Sequence, residues 1–337
     1  MSRVGRTDHD QSFATLECGM RVLLVKTSSL GDVIHNLPVV ADIHYHYADA
    51  KIDWVVEENF AAIPGLNSNV DRVFPVAMRR WRKHLSFRAT WEEWRAFKKQ
   101  LQPHSYDFVI DTQGLIKSAV IARAARGLRC GYDWDSAREP LASFAYQRKF
   151  NVAKNLHAVE RNRQLAAKAL GYEASPEPSY GLSALRAASD NALPTPYVVC
   201  LRATSRAEKE WPQENWIALG KRFAARGFAN VFPSGNEHEY ARAREVAGAI
   251  SNARALPPGS LDDVAAILSN ATAVIGVDTG LTHLACAFGK PTVALFCNSD
   301  SRLTGVYGSA CAVNLGGIGA PPSVEAVVDA YERIRNP

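Results

Sequence analysis

Short β-branched runs alternate with amphipathic stretches along most of the chain, and that alternation leaves few folds open. A buried run, a helix-period segment and another buried run make a βαβ unit. A series of such units builds a parallel sheet with helices on its faces. The first half offers "RVLLVK", "KIDWVV", "DRVFPV", "YDFVID" and "RCGYDW" as strands. Helical patterns lie between them, including "LIKSAVIARAARG", which reads as ending on a C-cap glycine, and "HAVERNRQLAAKALG" follows. The Pro-, Ser- and Ala-rich stretch "YEASPEPSYGLSALRAASDNALPTP" then interrupts the pattern. A second series resumes with "YVVCLRA", "ANVFPS", "AVIGVD" and "TVALFC", again separated by helical segments, and "PSVEAVVDAYERIRN" reads as a terminal helix.

A chain of 337 residues exceeds the length at which one core stops growing, roughly 250–300 residues. The expected organisation is an unassigned tail over 1–20, an N-terminal domain over 21–172, a linker over 173–196, a C-terminal domain over 197–320, and a helix over 321–337 that reaches back to the first domain. The fold class is α/β, with two doubly wound sheets facing a central cleft. Ligands of such sheets bind outside the carboxyl ends of the strands.

A net charge of +5 favours anionic partners such as a nucleotide diphosphate, a phospholipid or RNA, without choosing among them. The six cysteines form no CxxC pair and mostly lie in apolar runs, which suits buried thiols in a reducing compartment. The first twenty residues carry no apolar signal-peptide core, and no apolar run approaches the ~20 residues that span a bilayer. Any membrane contact is expected to be peripheral.

Five stretches carry candidate chemistry. In "KTSSLGDVIHNLP" a strand ends in a polar turn before a helix. Gly31 permits close backbone approach, Ser28 and Ser29 can cap the helix, and Pro38 marks a kink or a restart capped by Asn36. Asp32 at that turn is either a helix-start residue or a site carboxylate. Neither GxGxxG nor GxxxxGK[ST] is present, which disfavours a dinucleotide or P-loop role. In "CLRATSRAEKEWPQENW", Thr204, Ser205 and Lys209 follow a strand and suit a diphosphate, or form an ordinary polar loop. In "VIGVDTGLTHLACAFG", Asp278 ends a strand, and Thr279, Gly280 and Leu281 open a helix whose free N–H groups can receive an anion. The plain alternative is an Asp–Thr cap, with His283 a core histidine. In "PSGNEHEYARA", Glu237 either accepts ribose hydroxyls or decorates a helix start. In "RRWRKHLSFRATWEEWRAFKKQL", Thr90 and Glu93 suggest a capping box. Arg79, Arg80, Arg82 and Lys83 form a basic patch with Trp81 among them. "DWD" and "HYH" match metal-binding patterns by chance easily and carry no assignment.

"RVLLVKTSSLGDVIHNLP" together with "VDTGLTHLACAFGKPTVALF" resembles the bacterial ADP-heptose:lipopolysaccharide heptosyltransferases. "VAMRRWRKH", "DTQGLIKSA", "DWDSAREPLASFAY" and "HAVERNRQLAAKALGY" resemble the branch of that family that adds the first heptose. The resemblance runs from about Arg21 to the C-terminus. It implies a GT-B fold of two Rossmann-like domains, acceptor on the first and nucleotide sugar on the second. It implies inverting, metal-independent transfer of L-glycero-D-manno-heptose from ADP-heptose to the inner Kdo of Kdo2-lipid A, without a cofactor. Asp32 falls on the general base. Thr204, Ser205, Lys209, Glu237, Asp278, Thr279, Gly280, Leu281, Thr282 and His283 fall on donor positions. Ser28, Ser29, Gly31, Arg79, Arg80, Arg82, Lys83, Lys117 and Arg138 fall around the acceptor. The expected partners are the two substrates and the cytoplasmic face of the inner membrane, met peripherally by a cytoplasmic monomer that binds no nucleic acid. Rival readings are the second heptosyltransferase of the pathway, a nucleotide-sugar epimerase on the same fold, and an RNA-binding module using the Arg79–Arg88 patch.

Overall fold

The computed structural model describes residues 19–83, 87–185, 193–204 and 206–335. Two six-stranded sheets organise them, and every pair of neighbouring strands is parallel. The first contains β1 (Arg21–Val25), β2 (Lys51–Glu57), β3 (Arg72–Val76), β4 (Ser105–Asp111), β5 (Arg126–Tyr132) and β6 (Arg148–Phe150), in the order β3-β2-β1-β4-β5-β6. The second contains β7 (Tyr197–Leu201), β8 (Ala229–Phe232), β9 (Ala253–Ala255), β10 (Ala273–Val277), β11 (Thr292–Phe296) and β12 (Ala312–Gly316), in the order β12-β11-β10-β7-β8-β9. The two sheets share one topology. Each reverses direction between its first and fourth strands, and that reversal opens a crevice at the carboxyl ends. β1 and β4 flank one crevice, and β7 and β10 flank the other.

The central strands read as unbroken apolar runs because helices cover both faces. β7, β10 and β11 are buried throughout. The edge strands β6, β9 and β12 were not among the expected strands. They are short and half-exposed, so "RKF", "ARA" and "AVNLG" carry no long apolar signal.

Several local expectations need correction. Gly127 does not cap a helix. The helix ends at Ala124 and Gly127 lies inside β5, where a Cβ would stand 2.4 Å from the Tyr106 carbonyl oxygen. Gly171 is a left-handed helix cap, at φ +80°. Thr90 does not start a helix, because the helix Phe87–Leu101 is already under way. The helix Val324–Ile334 does not reach back to the first sheet. It buries Val327, Val328 and Tyr331 in the core of the second, beside β11 and β12. The described part of the linker is pinned: Tyr180 donates to the Tyr307 carbonyl at 3.0 Å, and Asn67 donates to the Tyr180 carbonyl at 3.2 Å. The tail over 1–18, with Cys18, lies outside the described residues, as does Ser205.

The two halves meet where their first functional helices touch. Leu37 and Ile34 from the first half join Leu284 and Ala285 from the second in one continuous apolar cluster, with Leu30 and Leu281 packed on it. A Cβ at Gly280 would lie 2.5 Å from Leu30 Cγ, so the absence of a side chain there sets how closely the halves approach.

Candidate functional site

The turn after β1 places Asp32 at the cleft. Ser29 is the N-cap of the helix Leu30–Ile34, and Asp32 accepts hydrogen bonds from its backbone N–H at 2.8 Å and its hydroxyl at 3.2 Å. Pro38 stands in a separate helix, Leu37–His46, so the chain restarts after Asn36, whose amide makes no capping bond. Arg138, from the segment after β5, reaches Asp32 at 3.3 Å. Asp32 is therefore both a helix-start residue and a cleft carboxylate, and the two readings do not compete. Burial pushes its carboxyl up, but Lys26, Arg138 and the two Ser29 bonds outweigh burial and hold it below the usual carboxylate range.

Lys26 was not among the expected site residues. It ends the buried run of β1, and its Nζ donates to the Thr112 carbonyl at 2.9 Å and to Asn162 Oδ1 at 3.2 Å. Burial pushes its ammonium down to about 8, opposed by Asp32. Lys117 donates to the Ser28 hydroxyl at 2.8 Å, beside the turn that carries Asp32. A cavity of about 150 Å3 opens at Asp32, lined by Lys26, Gln113, Arg138 and Arg161 and bordered by Leu303 and Thr304 of the second half.

The basic patch divides. Arg80 is held in ion pairs to Glu58 at 3.1 Å and Glu93 at 2.8 Å. Arg79 lies over the Phe60 ring, while Arg82 and Lys83 are exposed. An apolar groove of about 400 Å3 runs between Met78, Trp81, Trp91, Trp94 and Val120, with Arg79, Arg82 and Lys117 on its rim. Phe97 and Leu101 are buried in the sheet core below it.

Across the cleft, Asp278 follows β10 and gathers donors. Lys209 reaches its Oδ2 at 2.5 Å, the Ser299 hydroxyl at 2.7 Å, and His283 Nε2 lies 3.9 Å from Oδ1. Burial raises the Asp278 carboxyl, but His283, Lys209 and Ser299 together force it far below its ordinary value. Thr279 stands at the N-cap of the helix Gly280–Ala287 without a side-chain capping bond, and the Thr282 hydroxyl donates back to the Val277 carbonyl. His283 is a buried histidine and also an interdomain contact, because His35 of the first half lies 3.3 Å from its Nδ1. Thr204 sits half-buried three residues beyond β7, and Glu237 is exposed at the start of the helix Glu237–Gly248, after β8. Thr204, Lys209, Glu237 and Asp278 thus all follow strands of the second sheet at one edge of the cleft.

Two parallel α/β domains facing one another across a cleft, with a carboxylate on one side and an anion-suited helix start on the other, form the GT-B architecture. Residues 94–330 match the family described as glycosyltransferase family 9 (heptosyltransferase), and the chain belongs to that family. Among curated relatives, lipopolysaccharide heptosyltransferase 1 of Pseudomonas aeruginosa is 48% identical over 292 residues, 86% of this chain and 82% of that one. The Escherichia coli K12 protein of the same name is 46% identical over 293 residues, 86% of this chain and 91% of that one. The solved structure of E. coli heptosyltransferase WaaC with ADP superposes with a TM-score of 0.85 at 42% identity, covering 93% of this chain and 99% of that one.

Lys209→Ala removes the cation nearest Asp278 on the second sheet. The expected result is roughly 10- to 100-fold weaker ADP binding, the range for one hydrogen bond to a charged group. Calorimetry with ADP reads it directly, and unchanged affinity excludes a contact between Lys209 and the nucleotide.

Proposed function

We propose that this glycosyltransferase transfers L-glycero-D-manno-heptose from ADP-heptose to the inner Kdo of Kdo2-lipid A, with inversion at the anomeric carbon. The observation that carries this reading is the pair of facing crevices: Asp32 among cations at one and Lys209, Asp278 and the Thr279–Gly280 helix start at the other. Asp32 takes the proton of the acceptor hydroxyl as the new bond to the anomeric carbon forms and the bond to ADP breaks. A carboxyl held this acidic is a weak base, so proton transfer comes late, in a loose, oxocarbenium-like transition state. Charge building on the leaving diphosphate is met by Lys209 and by N–H groups near Thr279, which lets the transfer proceed without a metal. Thr204, Ser205 and Glu237 complete the donor site with hydroxyl and ribose contacts. Contact between the Leu30–Ile34 and Gly280–Ala287 helices excludes water from the reacting centre and limits donor hydrolysis.

The acceptor lies on the first domain. Arg79, Arg82, Lys83, Lys117 and Arg138 meet its anionic groups, and Arg80 braces that patch through Glu58 and Glu93. Among the described residues no helix is long and apolar enough to cross a membrane. The exposed aromatic groove and its basic rim support peripheral contact with an anionic lipid surface on the cytoplasmic side. Incubation of the protein with ADP-heptose and Kdo2-lipid A, followed by mass measurement of the lipid, tests the reading. A gain of one heptose supports it. A gain only on previously heptosylated acceptor assigns the second transfer instead, and conversion of the nucleotide sugar alone assigns an epimerase.

A further inference from the structure

Three buried histidines meet where the two halves touch. His35 is the C-cap of the helix Leu30–Ile34, three residues beyond Asp32, and its backbone N–H donates to the Gly31 carbonyl at 2.8 Å. Asn162 donates to the His35 carbonyl at 3.2 Å and accepts Lys26 Nζ, also at 3.2 Å, so contacts within the first half fix the His35 backbone. The His35 ring packs edge-on against His283 of the second half, with centroids 4.6 Å apart, and against His157 at 5.4 Å. A Cβ at Gly31 would stand 3.4 Å from His283 Cδ2, so the His283 ring also lies against the turn that carries Asp32.

The surroundings decide which nitrogen of each ring carries the proton. His157 Nδ1 accepts the Val159 N–H at 3.2 Å, so its proton lies on Nε2, which donates to the Gly305 carbonyl of the second half at 3.1 Å. At the other end, Asp278 Oδ1 lies 3.9 Å from His283 Nε2 and draws the proton of that ring to Nε2. His283 Nδ1 then offers a lone pair, and His35 Nε2, 3.3 Å away, must carry the hydrogen between them. That leaves His35 Nδ1 as a bare lone pair, and Nδ1 is buried without a hydrogen-bond partner among the described residues. The opposite arrangement is worse at both ends. It would turn a His283 lone pair toward the Asp278 carboxylate and strand a buried N–H on His35. Burial, with His283, His157 and Lys26 acting in the same direction, pushes the His35 imidazole well below its ordinary range, and burial pushes His157 down to about 4.

We propose that His35 is a positioning residue for the donor side: it donates Nε2–H to His283 Nδ1 and so holds His283 in the tautomer that turns Nε2–H toward Asp278. This rests on the donor role argued above for Asp278. Lys209 and Ser299 meet Asp278 Oδ2 from within the second half, whereas His283 faces Oδ1. The short helix that carries Asp32 therefore also reaches across the interface. It completes the hydrogen bonding of a carboxylate in the other half only while the halves are in contact.

His35→Gln and His35→Met separate donation from packing, because the two side chains have nearly the same length and only glutamine carries an N–H2. NMR of the full chain with nitrogen-labelled histidine reads which nitrogen of His283 bears the proton, the signal being assigned by its loss in His283→Asn. The proton is expected on Nε2 in the wild type and in His35→Gln, and that preference is expected to be lost in His35→Met. In parallel, kcat/KM for ADP-heptose should fall about tenfold in His35→Met and stay within about threefold of wild type in His35→Gln. A His283 proton on Nδ1 in the wild type overturns the proposal. So does an unchanged tautomer or an unchanged kcat/KM in His35→Met, and equal losses in the two variants reduce His35 to packing. If neither variant folds, as read by circular dichroism, the wild-type spectrum decides alone. A wild-type protein that does not use ADP-heptose removes the proposed function, while the tautomers still test the contact between His35 and His283.

Discussion

Asp32→Asn should lower kcat by roughly 10²- to 10⁴-fold, the usual contribution of a positioned general base, while ADP-heptose binds as before. The substitution is close to isosteric. Asparagine oxygen can still accept the Ser29 N–H and hydroxyl that Asp32 accepts at 2.8 and 3.2 Å, so the helix start is preserved. What disappears is the negative charge beside Lys26 and Arg138 and the capacity to take a proton. A residue that served only the helix start would lose the favourable charge at the helix N-terminus, roughly 0.3–1 kcal/mol, and leave turnover near normal. Single-turnover kinetics with a saturating donor, together with a thermal melt, separate the outcomes. Near-normal turnover removes Asp32 from the chemistry.

Gly280→Ala should lower kcat about 10²-fold with little change in ADP affinity. The added Cβ would stand 2.5 Å from Leu30 Cγ and 2.7 Å from Leu30 Cβ. The second of these atoms is fixed to the backbone and cannot swing aside, so the two helix starts must move apart. Leu30 lies two residues from Asp32, and Gly280 lies two residues from Asp278. A separation of even 1 Å at a reacting centre can cost 10²-fold in rate. The double substitution Gly280→Ala with Leu30→Ala relieves the contact and should recover part of the loss. If Gly280→Ala alone turns over like wild type, the contact between the helices does not set the distance across the cleft.

The most legible strands were those with long apolar runs. β1, β2, β7, β10 and β11 announce themselves because parallel central strands need unbroken apolar runs. β6, β9 and β12 escaped because they are short or half-exposed and carry no apolar run of their own, whereas the edge strand β3 keeps Val73, Phe74 and Val76. Gly127 misled for a related reason. A glycine after a helical pattern suggests a cap, but here its missing side chain admits the Tyr106 carbonyl of the neighbouring strand. That is a contact about twenty residues away, invisible to a local pattern.

The candidate site divides along the same line. Asp32, Lys209, Asp278 and the Thr279–Gly280 turn stood out in the sequence as candidates because each lies in the polar segment after a strand, where α/β chemistry collects. Lys26 and Gln113 lay inside quoted motifs yet carried no signal of their own. Lys26 looks like the end of a strand, and Gln113 looks like a turn residue. Their roles exist because β1 and β4 are neighbours, which brings Thr112 to Lys26 and Thr27 and Ser28 to Gln113. His35 and His283 are 248 positions apart and meet only because the two halves close on one another.

The sequence by itself determined the two series of βα units, the strand ends that carry polar turns, and the family to which those turns belong. Periodicity and local turn chemistry are properties of a few adjacent residues, so they survive in a one-dimensional reading. Only the tertiary structure decided which turns face each other and that a glycine in one half packs against Leu30 of the other. Those are distances between residues far apart in the chain, fixed by strand order and by the apolar contact between the halves.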